Sequence, residues 1–311
     1  RERGPLASVF NSVEPFTPEQ RDVIRRSMVQ VYDQFIDRVN IGRGKRISDI
    51  DKIARGRLFT GEQAVQNGMA DRIGNLDDPE INATAIELLG KEMPLWLGQA
   101  ATVKEAGDGQ LEVTAGEQSV VVEKVLVCIG RRPNLQHLAL ENAGIELNDK
   151  GVPDYNPNTM QIGDAPVFLA GDVSGDRPLL HEAADEGRIA GINAAAKQPL
   201  AFRRKTPLYI TFSDPNIVLV GKRISELDPS SVMTSSVAFG LLGRALIMGK
   251  NKGLLRMYAD KASGRLLGVS MVAPHGEHLG HLLAWCIEQN LTVQQVLRMP
   301  FYHPVIEEAL Q

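Results

Sequence analysis

Apolar residues in the first part of the chain recur at the three- and four-residue spacing of an amphipathic helix. Thr17 is the predicted N-cap of this helix, and Pro18 occupies its first position. The apolar positions then form one stripe: Val23, Ile24, Met28, Val31, Tyr32, Phe35, Ile36 and Val39. Shorter helices are predicted to begin at Ser48 and at Thr60. Residues 1–78 are therefore predicted to form a helical segment.

From about residue 79 the pattern changes to short apolar runs separated by turn residues. Residues 120–130, VVVEKVLVCIG, form a continuous apolar run, which predicts a strand buried on both faces. Residues 165–173, APVFLAGDV, predict a second strand, and residues 179–196 predict a helix rich in small residues. After Thr206, five strand-like runs precede two or three helices, a pattern typical of a small α+β domain. The predicted fold class is therefore α/β followed by α+β.

The composition of the 311-residue chain narrows the function classes. Its net charge of −4 comes from 34 basic and 38 acidic residues, which argues against a surface for nucleic acid or anionic membranes. No run approaches the roughly 18 apolar residues of a membrane span, and the first residues lack a signal-peptide pattern, so a cytoplasmic chain is predicted. The only cysteines, Cys128 and Cys286, lie far apart in apolar runs, which excludes a disulphide scaffold and a cysteine-rich metal site.

Residues 301–310, FYHPVIEEAL, place a histidine, a proline and two carboxylates in one short segment. Pro304 suits the first position of a helix, which would make His303 the cap of that helix. A carboxylate about one turn later, Glu308 or less favourably Glu307, can then hydrogen-bond one imidazole nitrogen and leave the other basic. The same pattern is also typical of an ordinary capped helix, so it indicates a base only together with other motifs.

A second candidate site lies around residues 171–181. The predicted strand FLAGD ends at Gly171 and Asp172, where an open α/β sheet presents groups to a ligand. The amides near Leu180 and His181, at the start of the predicted helix, could face an anion. Taken alone, the same residues also fit an ordinary strand, turn and packed helix.

One further polar cluster lies in APHGEHLGHLLAW, which places His278 and His281 three residues apart on a predicted helix. A metal site there would need additional ligands. None is evident from the sequence, so no metal site is predicted.

The N-terminal motifs resemble the closing part of a peptidase family. Residues 16–45, FTPEQRDVIRRSMVQVYDQFIDRVNIGRGK, and residues 49–78, DIDKIARGRLFTGEQAVQNGMADRIGNLDD, are similar to signal peptide peptidase (protease IV-like) serine-lysine enzymes. In that family the nucleophilic serine and its lysine base lie upstream of this region, and neither has a matching position here. No peptidase activity is therefore expected.

Five motifs further along the chain occur in the order found in pyridine nucleotide-disulphide oxidoreductases: VLVCIGRRPN, VFLAGDV, LLHEAADEG, TFSDPNIVLVG and HPVIEEAL. Residues 79–311 most resemble the dihydrolipoamide dehydrogenases of that family. The resemblance implies partial Rossmann-like FAD and NAD domains followed by a dimerisation domain. The implied bounds are a remnant of the NAD-binding domain at 79–130, the second part of the FAD-binding domain at 131–200, and the α+β dimerisation domain at 206–311, after the helical peptidase-like segment 1–78.

The resemblance implies cofactor-binding roles for Gly130, Arg131, Gly171, Asp172, Leu180 and His181. The first two would close the last strand of the nicotinamide-binding domain. Asp172 would hold the ribityl chain of FAD, and Gly171 would let the strand end approach it closely. The amides around Leu180 and His181 would face the isoalloxazine, where the positive end of a helix favours the reduced, anionic flavin.

The same resemblance implies that His303 is the base that deprotonates a dithiol substrate such as dihydrolipoamide, with Glu308 orienting its ring. In this family the histidine serves the active site of the partner subunit, so a homodimer through residues 206–311 is implied. The ancestral reaction would pass electrons from the dithiol through a disulphide and FAD to NAD.

The chain also departs from the family pattern. The family's CxxxxC pair is absent, and neither Gly42–Arg46 nor Gly107–Gly109 matches the glycine-rich turns that carry the pyrophosphates of FAD and NAD. We therefore expect FAD binding to be weak or lost, the NAD site to be incomplete, and the chain alone to be inactive. Two other interpretations stay open: a fragment of a serine peptidase, and a non-catalytic dimerisation module or chimeric product joined near residues 76–80.

Overall fold

A computed structural model describes residues 77–126, 133–135, 137–148 and 151–311, together with residues 22, 25 and 26. These last three residues are helical, and the remainder of the predicted N-terminal helices lies outside the described residues. The described part divides into two compact units. Unit 1 contains the described residues from 98 to 202, and unit 2 contains residues 77–97 and 203–311.

The regular elements of both units are numbered in chain order. The described helices are α1 (Pro79–Gly90), α2 (Leu180–Ala195), α3 (Gly243–Ile247), α4 (Gly276–Glu288) and α5 (Val293–Leu297). The described strands are β1 (Ala101–Gly107), β2 (Gln110–Ala115), β3 (Gln118–Val122), β4 (Leu208–Thr211), β5 (Asn216–Gly221), β6 (Val232–Ala238), β7 (Leu254–Asp260) and β8 (Leu266–Ala273). Among these helices, none has the length and apolar character needed to cross a bilayer.

Unit 1 begins with a three-stranded antiparallel meander in the order β1-β2-β3. Val113 in the middle strand pairs with Val103 on one side and Val120 on the other. The β1–β2 turn has positive φ at both Asp108 and Gly109, as expected for a two-residue hairpin turn. The glycine pair at 107 and 109 therefore belongs to a hairpin and not to a nucleotide-binding turn between a strand and a helix.

The strand predicted at residues 120–130 differs from the structure. β3 ends at Val122, it lies at the edge of the antiparallel meander, and the side chains of Val120 and Val121 are exposed. The prediction failed because the hairpin turn at Gly116 determines where the strand pairs with β2. The strand therefore begins at Gln118, before the apolar run, and ends inside that run. Residues 127–130 lie outside the described residues.

The strand predicted at residues 165–173 is also absent as a regular element. Phe168 forms a single antiparallel bridge with Gln161, and the chain then enters a short 3-10 helix at Asp172–Ser174. A strand requires a continuous ladder of partners, and a sequence pattern does not reveal whether the partners exist. The surrounding loops instead bury a small apolar core: Leu135, Ile145, Val152, Ile162 and Leu169. The helix predicted at 179–196 is present as α2.

Unit 2 contains a five-stranded antiparallel sheet in the order β4-β5-β8-β7-β6. Helix α4 packs on this sheet through Leu279 and Leu283, which are fully buried. Full burial of each leucine stabilises the fold by about 1.5–3 kcal/mol. Gly280 allows this close approach, because an added Cβ would lie 2.8 Å from Val218 Cγ1. The five strands predicted after Thr206 are therefore present as β4 to β8.

Helix α1 belongs to unit 2 and was not predicted from the sequence. Asp78 is its N-cap and accepts hydrogen bonds from the N–H groups of Glu80 and Ile81, with Pro79 at the first helical position. The structure places this helix against β7 and β8, whereas the sequence grouped residues 79–130 in one segment. The Asp-Pro-Glu segment at residues 78–80 is a typical helix start, although the change of motifs there also indicates a join between two families.

Candidate functional site

The C-terminal segment of unit 2 carries the predicted base. Its helix is a 3-10 helix at Ile306–Leu310, so Pro304 does not occupy the first helical position. The reason is that Val305 has an extended backbone (φ −138°, ψ 163°) and is the N-cap, which moves the helix start two residues beyond the expected place. The peptide bond between His303 and Pro304 is cis.

His303 and Glu308 are in direct contact. The distance from His303 Nδ1 to Glu308 Oε1 is 2.7 Å. Because an ionised carboxylate can only accept, Nδ1 carries the proton in this contact, and in the neutral ring Nε2 keeps a lone pair. The imidazole side chain is 79% exposed, so it faces away from the interior of its own unit. Of the two carboxylates considered from the sequence, the structure places Glu308 and not Glu307 at the ring.

Local contacts hold Glu308 in place. Its Oε2 accepts a hydrogen bond of 2.9 Å from the Val305 N–H, while Ile306, Ala309 and Leu310 are buried in the main core of unit 2. The hydrogen bond from His303, followed by that from Val305, lowers the pKa of Glu308 below its ordinary value of 4.5. The carboxylate is therefore ionised at neutral pH and can stabilise a positive charge on the ring.

The second group of predicted site residues lies in unit 1. Gly171 has φ +85° and ψ −164°, a conformation that is essentially restricted to glycine. Its N–H donates a 2.7 Å hydrogen bond to Glu186 Oε2, and an added Cβ would lie 3.5 Å from Ala183 Cβ. The glycine thus sits close against α2, and the exposed Asp172 follows it at the surface.

The start of α2 presents backbone amides near Leu180 and His181, and both side chains are exposed. No side chain caps the helix at Leu179 within the part of the chain that the structure describes. The first turn also contains Glu182, which is buried and lies 3.3 Å from Arg177 Nη1. The negative charge of this carboxylate partly neutralises the positive end of the helix dipole. Glu182 is not among the site residues predicted from the sequence.

The predicted residues thus fall into two groups. Gly171, Asp172, Leu180 and His181 lie in unit 1, and His303 with Glu308 lies in unit 2. Gly130 and Arg131 lie outside the described residues. Glu186, which the sequence analysis missed, has no local signal because it is 15 positions from the glycine that it contacts.

Family comparisons identify the larger part of the chain. A model of the pyridine nucleotide-disulphide oxidoreductases matches residues 68–187, and a model of their dimerisation domain matches residues 208–311. By sequence similarity, these two regions are thus pyridine nucleotide-disulphide oxidoreductase domains. This family depends on FAD and NAD(P). The resemblance inferred from the five motifs is confirmed.

A third family model, peptidase family S49, matches residues 2–86. This agrees with the resemblance of the N-terminal motifs to signal peptide peptidases. The S49 match and the first oxidoreductase match overlap at residues 68–86, and the join expected near residues 76–80 falls inside that overlap.

Curated relatives include dihydrolipoyl dehydrogenases and mercuric reductases. The dihydrolipoyl dehydrogenase of Haloferax volcanii is 32% identical over 234 residues, covering 72% of this chain and 48% of the relative. The mercuric reductase of Acidithiobacillus ferrooxidans is 29% identical over 266 residues, covering 85% of this chain and 46% of the relative. The chain thus spans about half the length of the curated relatives that it matches.

Solved structures with a similar fold include LpdA and the flavoprotein disulphide reductase RclA. LpdA from Mycobacterium tuberculosis has a TM-score of 0.66 at 23% identity, over 75% of this chain and 52% of that chain. RclA from Escherichia coli has a TM-score of 0.65 at 21% identity, over 76% of this chain and 55% of that chain. The mixed α/β fold class predicted from the sequence is confirmed at this level.

Proposed function

We propose that this chain is part of an FAD-dependent disulphide oxidoreductase of the dihydrolipoamide dehydrogenase type, in which unit 2 supplies a proton acceptor and a dimer surface. The observation that carries the proposal is the 2.7 Å contact between His303 Nδ1 and Glu308 Oε1 on an exposed ring. A histidine fixed in this way is suited to general base chemistry. The family match over unit 2 supports the assignment.

The proposed step is a proton transfer from a substrate thiol to His303. The S–H bond breaks, an N–H bond forms at Nε2, and the electron pair stays on sulfur as a thiolate. Glu308 keeps Nδ1 protonated and stabilises the resulting imidazolium, because its own lowered pKa keeps it ionised. The substrate class is a dithiol such as dihydrolipoamide.

A homodimer is the second part of the proposal. Unit 2 matches the family's dimerisation domain and exposes several large apolar side chains: Phe212, Leu241, Ile247, Trp285 and Tyr302. Sedimentation velocity should show concentration-dependent dimers that Leu241→Glu weakens. Val121→Glu, at an exposed apolar position in unit 1, is the matched control and should leave the dimer intact. A monomer at all concentrations would contradict this part.

Unit 1 would hold the flavin end of FAD. The glycine-only conformation of Gly171 and the exposed Asp172 fit a close approach to the ribityl hydroxyls, and the amides at the start of α2 fit an electron-rich ring. When bound, FAD would accept the two electrons of the dithiol. Because the sequence lacks the glycine-rich turns for either pyrophosphate, we propose that FAD is held weakly or lost and that the NAD site is incomplete.

The tautomer of His303 tests the proposed base. Imidazole nitrogen NMR shifts should show the proton on Nδ1 in the unmodified chain, and Glu308→Ala should shift the ring toward a mixture of tautomers. Glu307→Gln changes the neighbouring carboxylate and should leave His303 unchanged. An unmodified chain in which His303 already populates both tautomers would contradict the proposed orientation.

Cofactor and turnover are tested together on the purified chain. We expect no oxidation of dihydrolipoamide by NAD, and protein-bound flavin only after incubation with excess FAD and removal of the free cofactor. Turnover at an ordinary enzyme rate would contradict the proposed inactivity. If no flavin stays with the protein after free FAD is removed by gel filtration, a non-catalytic dimerisation module becomes the better description.

A serine peptidase fragment is the second candidate, and the S49 match at residues 2–86 favours it. Casein cleavage by the purified chain that is lost on substitution of one serine would support it. Absence of cleavage would leave the oxidoreductase proposal as the better one.

A further inference from the structure

Three side chains at the start of α4 bring their ligand atoms together. His275 Nδ1 lies 3.9 Å and His278 Nε2 lies 3.6 Å from Glu277 Oε1. The three ligand atoms all lie within 4.8 Å of one another. The sequence suggested the pair His278 and His281. In the structure, His278 instead lies close to His275 and Glu277.

The backbone that carries these residues is fixed. Gly276, between His275 and Glu277, is buried, and an added Cβ would lie 3.1 Å from Val218 Cγ2 and 3.2 Å from the Cβ of Asn216. Asn216 also accepts a hydrogen bond of 3.3 Å from the Glu277 N–H. The backbone that carries the three side chains is therefore held in place by packing. Because this backbone is already ordered, a ligand that binds here loses less affinity to ordering the protein.

The carboxylate of Glu277 is only partly satisfied. Its Oε2 is buried and has no hydrogen-bond partner among the described residues, although buried carboxylate oxygens are ordinarily paired. Its Oε1 faces the two imidazoles. A cation at this position would supply the missing counter-charge.

We propose that His275, Glu277 and His278 form a binding site for a divalent transition-metal ion of the zinc class. Two imidazole nitrogens and one carboxylate are a common three-residue ligand set for zinc and leave one or more positions open. Zinc–nitrogen bonds of about 2.0–2.1 Å require ligand atoms roughly 3.3–3.5 Å apart, so only small side-chain movements are needed. Both histidine side chains are exposed enough to make them.

His281 has a different role. Its Nδ1 lies 2.7 Å from the backbone oxygen of Glu277, one turn earlier in α4, so this nitrogen is engaged with the helix. It therefore provides a matched control on the same helix, and it separates the proposed site from the pair suggested by the sequence.

The test is a calorimetric titration of the 311-residue chain with zinc chloride. His275→Asn, Glu277→Gln and His278→Ala should each weaken zinc binding by at least about tenfold, by comparison with the 10–100-fold loss common for residues that support metal ligands. Asn is chosen at 275 because that residue has φ +52°, which Asn tolerates well. His281→Ala should change the zinc affinity by less than about twofold. This is much smaller than the roughly tenfold loss expected for the three ligand variants.

A second measurement on the unmodified chain covers the case in which a variant misfolds. On addition of zinc, the imidazole resonances of His275 and His278 should shift together while those of His137 stay in place. The proposal is overturned if no zinc binds, if the shifts occur at other histidines, or if His281→Ala weakens binding as much as His278→Ala.

Discussion

Replacement of Asp78 gives the sharpest test of how unit 2 is built. Asp78 is fully buried and caps α1, and it also accepts hydrogen bonds from Arg256 Nη1 at 2.8 Å and from the hydroxyl of Tyr258. Burial raises the pKa of Asp78, but hydrogen bonds from Tyr258, the Ile81 N–H and Arg256 outweigh it and lower the pKa. The charged carboxylate is thus the form that stabilises the fold.

The expected cost of Asp78→Ala follows from these contacts. Loss of an N-cap costs about 1 kcal/mol, and removing the carboxylate that accepts from the buried Tyr258 hydroxyl costs about 1–3 kcal/mol, although Ser270 still hydrogen-bonds that hydroxyl. Arg256 keeps a second partner, because Glu80 Oε1 lies 3.0 Å from its Nη1. We therefore expect a loss of about 3 kcal/mol in the free energy of unfolding of unit 2.

Urea unfolding followed by tryptophan fluorescence reports on this unit alone, because Trp96 and Trp285 are the only tryptophans and both lie in unit 2. Asp77→Ala is the control. It removes only an exposed contact to the Ser225 N–H and should cost less than about 1 kcal/mol. If Asp78→Ala costs no more than Asp77→Ala, α1 is not anchored as described. A double-mutant cycle with Tyr258→Phe should show coupling of about 1 kcal/mol or more.

Three further predictions concern single residues. Gly253→Ala should destabilise unit 2 by at least about 2 kcal/mol in urea unfolding, because φ is +126° and the added Cβ would lie 2.0 Å from Val272 O. The control is Gly243→Ala, where the added Cβ meets open space, and it should cost less than about 0.5 kcal/mol. Asn193→Ala should abolish slow hydrogen exchange at the Leu200 amide, which donates to Asn193 Oδ1 at 2.8 Å, and continued protection would contradict this. His303→Ala should raise the pKa of Glu308 toward 4.5 in a carboxyl NMR titration, because the largest cause of its lowering is removed, and an unchanged pKa would contradict it. Since the pKa of Glu308 is lowered in the folded state, its stabilising contribution is present above about pH 4.5 and is lost as the pH falls through that lowered value.

The features that the sequence predicted correctly depend on short-range patterns. Helix α2 and the five strands of unit 2 follow from local periodicity and turn residues. The contact between His303 and Glu308 spans five positions, so spacing alone could suggest it. Even there, the helix start was placed at Pro304 and not at Ile306, because the extended conformation of Val305 has no sequence signal.

The features that were missed depend on long-range contacts. Tyr258 meets Asp78 across 180 positions, and Gly171 meets Glu186 across 15, so neither pair shows in a local pattern. The apolar runs at 120–130 and 165–173 had the composition of strands, but composition does not show which partner strands are present. The cluster at His275, Glu277 and His278 is local, but His275 precedes the helix with φ +52°, and the sequence does not reveal that backbone conformation.

The most direct test of the central claim is a complementation assay with an intact dihydrolipoyl dehydrogenase whose own C-terminal base histidine has been replaced. The two proteins are dissociated together and reassembled, and the heterodimer fraction is assayed for oxidation of dihydrolipoamide by NAD. We predict that activity returns with this chain and does not return with its His303→Ala variant. Failure to form any heterodimer, or equal activity with and without the imidazole of His303, would contradict it.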